Sequence, residues 1–237
     1  MAVRAPILFV PIFAAFEAIP FTEQAAGWAD VESFDGPGAG SRRAEPVGGI
    51  EDMARAGADR LDELGWERCV LACDSHAQAA AVELALADPR VAGISISHAA
   101  ARYSTAGDRP ALSAGVHAAA AQLLESDLRS FGHALTQLTQ GTIDEHWVER
   151  FLENVPRGVA RARTGQLDGR ELATRLGEWG GQALFGLHAG CLMWTREGFE
   201  DAVAAVPGAA TMECDQVPLA DPRFIEAIRE LCERVFG

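Results

Sequence analysis

Four short apolar runs, each followed by a helical stretch, set the strongest limit on what this chain can fold into. Ile7-Leu8-Phe9-Val10 is continuous and apolar, as a strand buried on both faces requires. A helix is predicted over 22–27, and a second strand over 31–34. Ile50–Leu64 has helical spacing, with Met53, Leu61 and Leu64 on one face. A third strand is predicted over 68–73, a small-residue helix over 76–87 and a fourth strand over 91–97. This alternation predicts right-handed crossovers and a parallel sheet, that is, an α/β fold.

The rhythm stops near Ala99 and resumes near Gln182. Between them, segments over 112–128, 131–138, 143–151, 155–163 and 172–176 all carry helical periodicity. Strands over 183–188 and 209–214 and helices over 195–205 and 222–236 then complete the pattern. Residues 1–99 and 180–237 are therefore expected to form an α/β core, with 100–179 inserted as a helical cap.

Composition removes several chemistries. The 20 basic residues are all Arg, so a phosphate-loop lysine, a pyridoxal Schiff base and a lysine nucleophile are excluded. A net charge of −14 argues against nucleic acid and anionic membrane as partners. Cys69, Cys73, Cys191, Cys214 and Cys232 form no CxxC pair, and read as reduced thiols of a cytoplasmic protein. The apolar stretch over 6–21 is broken by Pro6, Pro11, Glu17 and Pro20, which makes it a poor signal peptide, and no run is long enough to span a membrane. No dinucleotide or metal-ligand spacing is present, so no cofactor and no metal are expected.

Ser75 lies where the third strand passes directly into a helix, in Val70-Leu71-Ala72-Cys73-Asp74-Ser75-His76-Ala77-Gln78. A nucleophile on such a turn is exposed, with helix N-terminal amides beside it to stabilise an oxyanion. A structural N-cap serine fits the same position. In this context the chain resembles the α/β-hydrolase family over nearly its whole length. Asp35-Gly36-Pro37-Gly38-Ala39-Gly40-Ser41 is similar to that family's DxPGxGxS loop, and the segment around Ser75 to its nucleophile elbow. Asp88-Pro89-Arg90-Val91-Ala92-Gly93, Pro207-Gly208-Ala209 and Asp221-Pro222-Arg223-Phe224 resemble later landmarks. The first strand begins almost at the N-terminus, as in the compact hydroxynitrile-lyase and methylesterase branch that lacks the outer strands.

The departures concern the catalytic triad. Counting back from Asp221-Pro222, the family's general-base histidine position falls on Asp215. Counting back from Pro207, its acid position falls on Cys191, or on Leu192 if the register slips. Pro11-Ile12 stands where the family's oxyanion loop begins with His-Gly. A carboxylate is a poor substitute for imidazole at neutral pH unless burial raises its proton affinity. The expected catalytic set is therefore rearranged, with Ser75 paired to His98 or His76 and Asp215 orienting the imidazole.

Ile12, Phe13, His188, Cys191 and Trp147 are the expected substrate contacts, together with an apolar cap face offering Phe131, Leu135, Leu138, Phe151 and Val155. Asp74 is read as a partner of neighbouring backbone, His117, His133 and His146 as ordinary cap residues, and Cys73 and Cys214 as small buried side chains. The resemblance implies hydrolysis of an ester or thioester of a small hydrophobic carbonyl compound. The altered triad leaves open a non-hydrolytic lyase, cyclase or isomerase step, and also a pocket retained only for binding. Homodimerisation stays open. The Arg-only, Ala-rich composition suits a bacterium and a specialised-metabolite pathway.

Overall fold

The computed structural model describes residues 4–100, 119, 121–140, 142–165, 172–188 and 196–237. Its centre is a six-stranded sheet in the order β2-β1-β3-β4-β5-β6, every pairing parallel. The strands are β1 (Ala5–Val10), β2 (Ala29–Glu32), β3 (Cys69–Asp74), β4 (Val91–Ser97), β5 (Gln182–His188) and β6 (Ala210–Cys214). The helices are α1 (Ile19–Ala25), α2 (Ile50–Leu64), α3 (Gln78–Ala87), α4 (Leu128–Gln140), α5 (Glu145–Asn154), α6 (Arg157–Gly165), α7 (Leu172–Glu178), α8 (Arg196–Ala205) and α9 (Pro222–Phe236).

Period-two alternation splits the strand residues between two cores. Leu8, Val10, Leu71, Cys73, Ile94, Ile96, Phe185 and Leu187 face α2, α3, α7 and α8, where Leu61, Leu84, Leu176 and Phe199 meet them. Ile7, Phe9, Val70, Ala72 and Leu184 face α1 and α9, where Phe21, Phe224, Ile228 and Leu231 close the other layer. Both faces are covered, which is why the central strands read as unbroken apolar runs.

The edge strand β2 runs over Ala29–Glu32 and not over 31–34. The Ser33 hydroxyl donates to the Phe9 carbonyl at 2.9 Å, so a side chain takes the acceptor that a further ladder N–H would use. Phe34 then leaves the sheet and is buried among α2 and α3. Helix α2 ends where the sequence predicts, because Gly65 adopts φ +64° and its N–H returns to Asp62 and Leu61 carbonyls. Helix α9 starts at Pro222 on an Asp221 cap, whose carboxylate accepts from the Arg223 N–H at 2.9 Å.

Between β4 and β5 the described residues are helical. Helices α4, α5 and α6 form a third cluster with the loop after β1: Phe13, Phe16, Phe131, Trp147, Val148, Phe151 and Val159 are all buried there. Phe151 is fully buried, 5.4 Å from Phe13, 6.0 Å from Phe131 and 5.3 Å from Trp147 between ring centroids. Among the described residues no helix is long and apolar enough to cross a membrane.

Removing that ring leaves a cavity lined by three aromatic side chains. Phe151→Ala is expected to lower unfolding stability by about 3–5 kcal/mol, measured by urea denaturation, with an unchanged denaturant slope.

Candidate active site

Strand order reverses beside β1: the chain goes to β2 on one side and to β3 on the other. The connections leave toward opposite faces, since α1 packs on one layer and α2 on the other. Such a switch point opens a crevice at the carboxyl ends of the strands, the place where open α/β sheets bind ligands. A cavity of about 280 Å³ lies there. Its walls come from β1 and the loop after it (Phe9, Val10, Ile12, Glu17), from the turn after β3 (Asp74, His76, Ala77) and from the segment after β6 (Val217, Leu219, Ala220). The inter-strand helices add Leu135, Asp144 and Trp147.

The backbone around Ser75 is a strand, then a tight 3-10 turn over Ser75–Ala77, then α3. This is the sharp strand-to-helix passage expected of an elbow. His76, on that turn, is partly exposed and lines the cavity.

His98 follows β4 immediately and is 2 % exposed. Its φ of +58° is the one positive value at a non-glycine position among the described residues. Left-handed backbone is uncommon for a side chain of this size and is held by its surroundings. Here the His98 N–H donates to the Gly186 carbonyl at 2.8 Å, across β5. The turn sets His98 Nδ1 3.7 Å from Asp74 Oδ1 and 3.3 Å from Ser97 Oγ. Asp74 is thus not only a backbone partner. It stands beside an imidazole and on the cavity wall.

Asp215 does not orient either imidazole. Its side chain is 93 % exposed and pairs with Arg223 Nη2 at 2.9 Å. The same guanidinium binds the 3 %-exposed Asp221 at 2.7 Å, so Asp215 is the outer member of a network that caps α9. Counting places Asp215 correctly after β6, but its side chain is turned to solvent.

Of the expected substrate contacts, Ile12 and Trp147 line the cavity. Phe13 does not: its ring is fully buried against Phe151. His188, at the end of β5, places Nδ1 3.3 Å from the Cys214 carbonyl and is absent from the cavity wall. Leu135 lines the cavity, whereas Phe131, Phe151 and Val155 are packed in the third core. Cys191, Leu192, His117 and the Leu138 side chain lie outside the described residues. Burial pushes the Cys214 thiol up to about 12 and holds Cys73 well above the ordinary thiol value, so neither is a thiolate at neutral pH.

The residue that sequence reasoning missed is Glu17. It is the one charged residue between Ile7 and Phe21, a signal used only as evidence against a leader segment. It stands in the short turn Ala15–Ala18 and folds back on the loop before it. Oε1 accepts from the Phe13 N–H at 2.7 Å and the Ala14 N–H at 2.9 Å, and Oε2 from the Ile12 N–H at 3.1 Å. Burial pushes its carboxyl up to about 7, reinforced by the negative charge of Asp74 and opposed by the three amides. A carboxyl pushed toward neutrality by burial on the wall of an apolar cavity makes Glu17 a candidate functional group.

No family model matches the sequence, and neither does any curated protein. Solved structures do match. An esterase from Exiguobacterium antarcticum superposes with a TM-score of 0.80 at 14% identity, over 98% of this chain and 93% of that one. A bromoperoxidase from Bacillus anthracis gives 0.79 at 13%, over 98% and 92%. The chain has the α/β-hydrolase fold. An enol-lactonase from Burkholderia xenovorans, at 0.66 and 16% over 99% and 90%, shares it. In this chain Glu17, in the turn Ala15–Ala18 after β1, and Asp74, at the end of β3, both stand on the cavity wall.

The position of Glu17 makes stability depend on pH. Its folded value lies above the ordinary 4.5, so its favourable share is complete below that pH and is lost as pH rises through about 7. The loss is on the order of 3 kcal/mol. Urea denaturation at pH 5 and pH 8 should therefore show wild type losing stability relative to Glu17→Gln at the higher pH. A pH-independent difference would mean that Glu17 titrates normally.

Proposed function

We propose that this chain is an α/β-hydrolase-fold enzyme that moves a proton on a small hydrophobic carbonyl compound, with Glu17 as the proton-transfer group. The observation that carries this reading is the Glu17 carboxyl seated on the Ile12, Phe13 and Ala14 amides at the cavity wall. A carboxylate has about four lone-pair positions, and three are used, so it is held rigidly while one remains for a substrate proton. A proton affinity near the working pH is what general acid–base transfer requires. His98, buried off the cavity wall with Nδ1 3.7 Å from Asp74 Oδ1 and 3.3 Å from Ser97 Oγ, is a positioning residue for Asp74. His76 borders the reacting centre, and the described helices α4 and α5, which bring Leu135 and Trp147 to the cavity, act as the lid. The substrate's apolar body packs against Phe9, Leu135 and Trp147.

The same contacts weigh against ordinary acyl-enzyme chemistry. Loop amides bound to an ionised carboxylate cannot also bind a developing oxyanion, because two negative charges would compete for one set of donors. Ester hydrolysis through Ser75 remains the second reading. The elbow-like backbone at Ser75 and the esterase and lactonase among the structural neighbours favour it.

Two measurements separate the readings. In D₂O, small aryl ketones and β-keto esters should exchange the α-hydrogen, with a rate that rises with pH toward a plateau above about 7. Glu17→Gln should lower this rate by about 10²–10⁴-fold. Intact mass after fluorophosphonate treatment should show no Ser75 adduct. An adduct with ester turnover that survives Glu17→Gln would establish the hydrolytic reading instead. Absence of exchange, turnover and adduct would leave a binding pocket.

A further inference from the structure

Arg163, in α6, is 4 % exposed. Its Nη2 donates to the Pro37 carbonyl at 3.0 Å, while among the described residues Nε and Nη1 have no hydrogen-bond partner. Removing a guanidinium from water costs several kcal/mol unless an anion or a full set of acceptors replaces the solvent. The carboxylates that attract it, Glu17 and Asp52, are committed elsewhere. Glu17 holds the loop amides, and Asp52 accepts from the Gly49 N–H at 2.7 Å and pairs with Arg55 at 2.9 Å. Burial pushes Arg163 down only to about 10, so it is a cation at neutral pH.

The position is built for this side chain. A Cβ on Gly36 would lie 2.7 Å from Arg163 Nη2 and 2.3 Å from Met53 Sδ, so a side chain there would have to displace the guanidinium and the thioether. Arg163 forms part of the wall of a second cavity, of about 20 Å³, together with Met53, Ile12, His76 and Ala77. The last three also line the 280 Å³ cavity, so the two spaces share a partition. Since a water-sized group needs roughly 10–15 Å³ on this measure, the small cavity has room for about one such group, so a single carboxylate oxygen can reach Arg163 there while a whole tetrahedral phosphate does not fit.

We propose that Arg163 is the anchor for a carboxylate carried by the ligand, whose apolar body occupies the larger cavity. The ligand class is thus a small hydrophobic carboxylic acid. This rests on the larger cavity being the substrate site, but not on any reaction occurring there.

Isothermal titration in chloride-free buffer at neutral pH, with benzoate, benzamide, formate and chloride as probes, tests it. Benzoate should bind at least about tenfold more tightly than its neutral isostere benzamide, and formate should compete with it. Arg163→Met, which keeps length and apolar bulk, should bring the benzoate-to-benzamide ratio to about one. Glu17→Gln should retain the preference, so loss of turnover and loss of anion recognition are read separately. Equal binding of benzoate and benzamide by wild type overturns the proposal without recourse to a variant. So does a preference that persists in folded Arg163→Met, or binding of chloride or formate with none of benzoate, which would mark an adventitious ion only.

Discussion

Four consecutive backbone amides, those of Ile12, Phe13, Ala14 and Ala15, leave the end of β1 with no strand to pair with, and two carboxylates take all four. Glu17 accepts the first three and Asp35 the fourth, at 2.9 Å. Partly buried N–H groups must find acceptors, and here the acceptors are charged, which shortens and stiffens the contacts. Much else follows from this loop. It points Phe13 and Phe16 at α4 and α5, and so seats the inter-strand helices. Asp35 also accepts from the Ser41 N–H and hydroxyl, so the same carboxylate ties the loop to the glycine-rich turn. That turn brings the Pro37 carbonyl to Arg163.

The charges behave differently inside and outside. At the surface, Arg–carboxylate pairs such as Arg129–Glu149 and Arg196–Glu213 are exposed and each of little energetic consequence. Around the crevice two groups are held against their solvent preference. Glu17 is pushed toward its neutral form by burial and by Asp74, and Arg163 is pushed the same way by burial and, to a lesser degree, by the positive charge of Arg42. Each attracts the other without forming an ion pair. Protonating Glu17 would therefore remove one of the charges that favour the Arg163 cation, without making Arg163 neutral at neutral pH.

The fold was legible because its signal is repeated and redundant. Unbroken apolar strands, the Gly65 stop and the Asp221-Pro222 start are local rules, and α2 and α9 match their predicted bounds. The β2 bounds were misread because Phe34 is apolar whether it lies in the sheet or, as it does, beneath it. The site was legible only as a set of strand ends. Ser75, His76 and His98 could be placed on the carboxyl edge, but whether a side chain turns in or out depends on partners far away in sequence. Asp215 turns out because Arg223 is there to meet it. Phe13 turns into a core that helices more than a hundred residues later provide. Glu17 was invisible because its partners are backbone amides, which leave no mark in composition, and because Ala14 stands where a capping box shows Ser or Thr.

The expectation of a base after β6 is best judged by comparing positions by strand and not by residue type. The β6 end, where a base was sought, is occupied by an exposed network whose role is to start α9. Glu17, Asp74 and His76, which do line the cavity, stand instead at or just beyond the ends of β1 and β3. These are interior strands with both neighbours paired and both faces covered, so their ends move less than those of the edge strand β6. A proton-transfer group must hold its geometry to fractions of an ångström. In the proposed reading the chemistry has shifted inward along the sheet, onto a loop locked by its own carboxylate, with Asp74 beside a histidine locked in left-handed backbone. Such a shift leaves the fold unchanged, because the crevice is made by strand order, and strand order does not depend on which side chains line it.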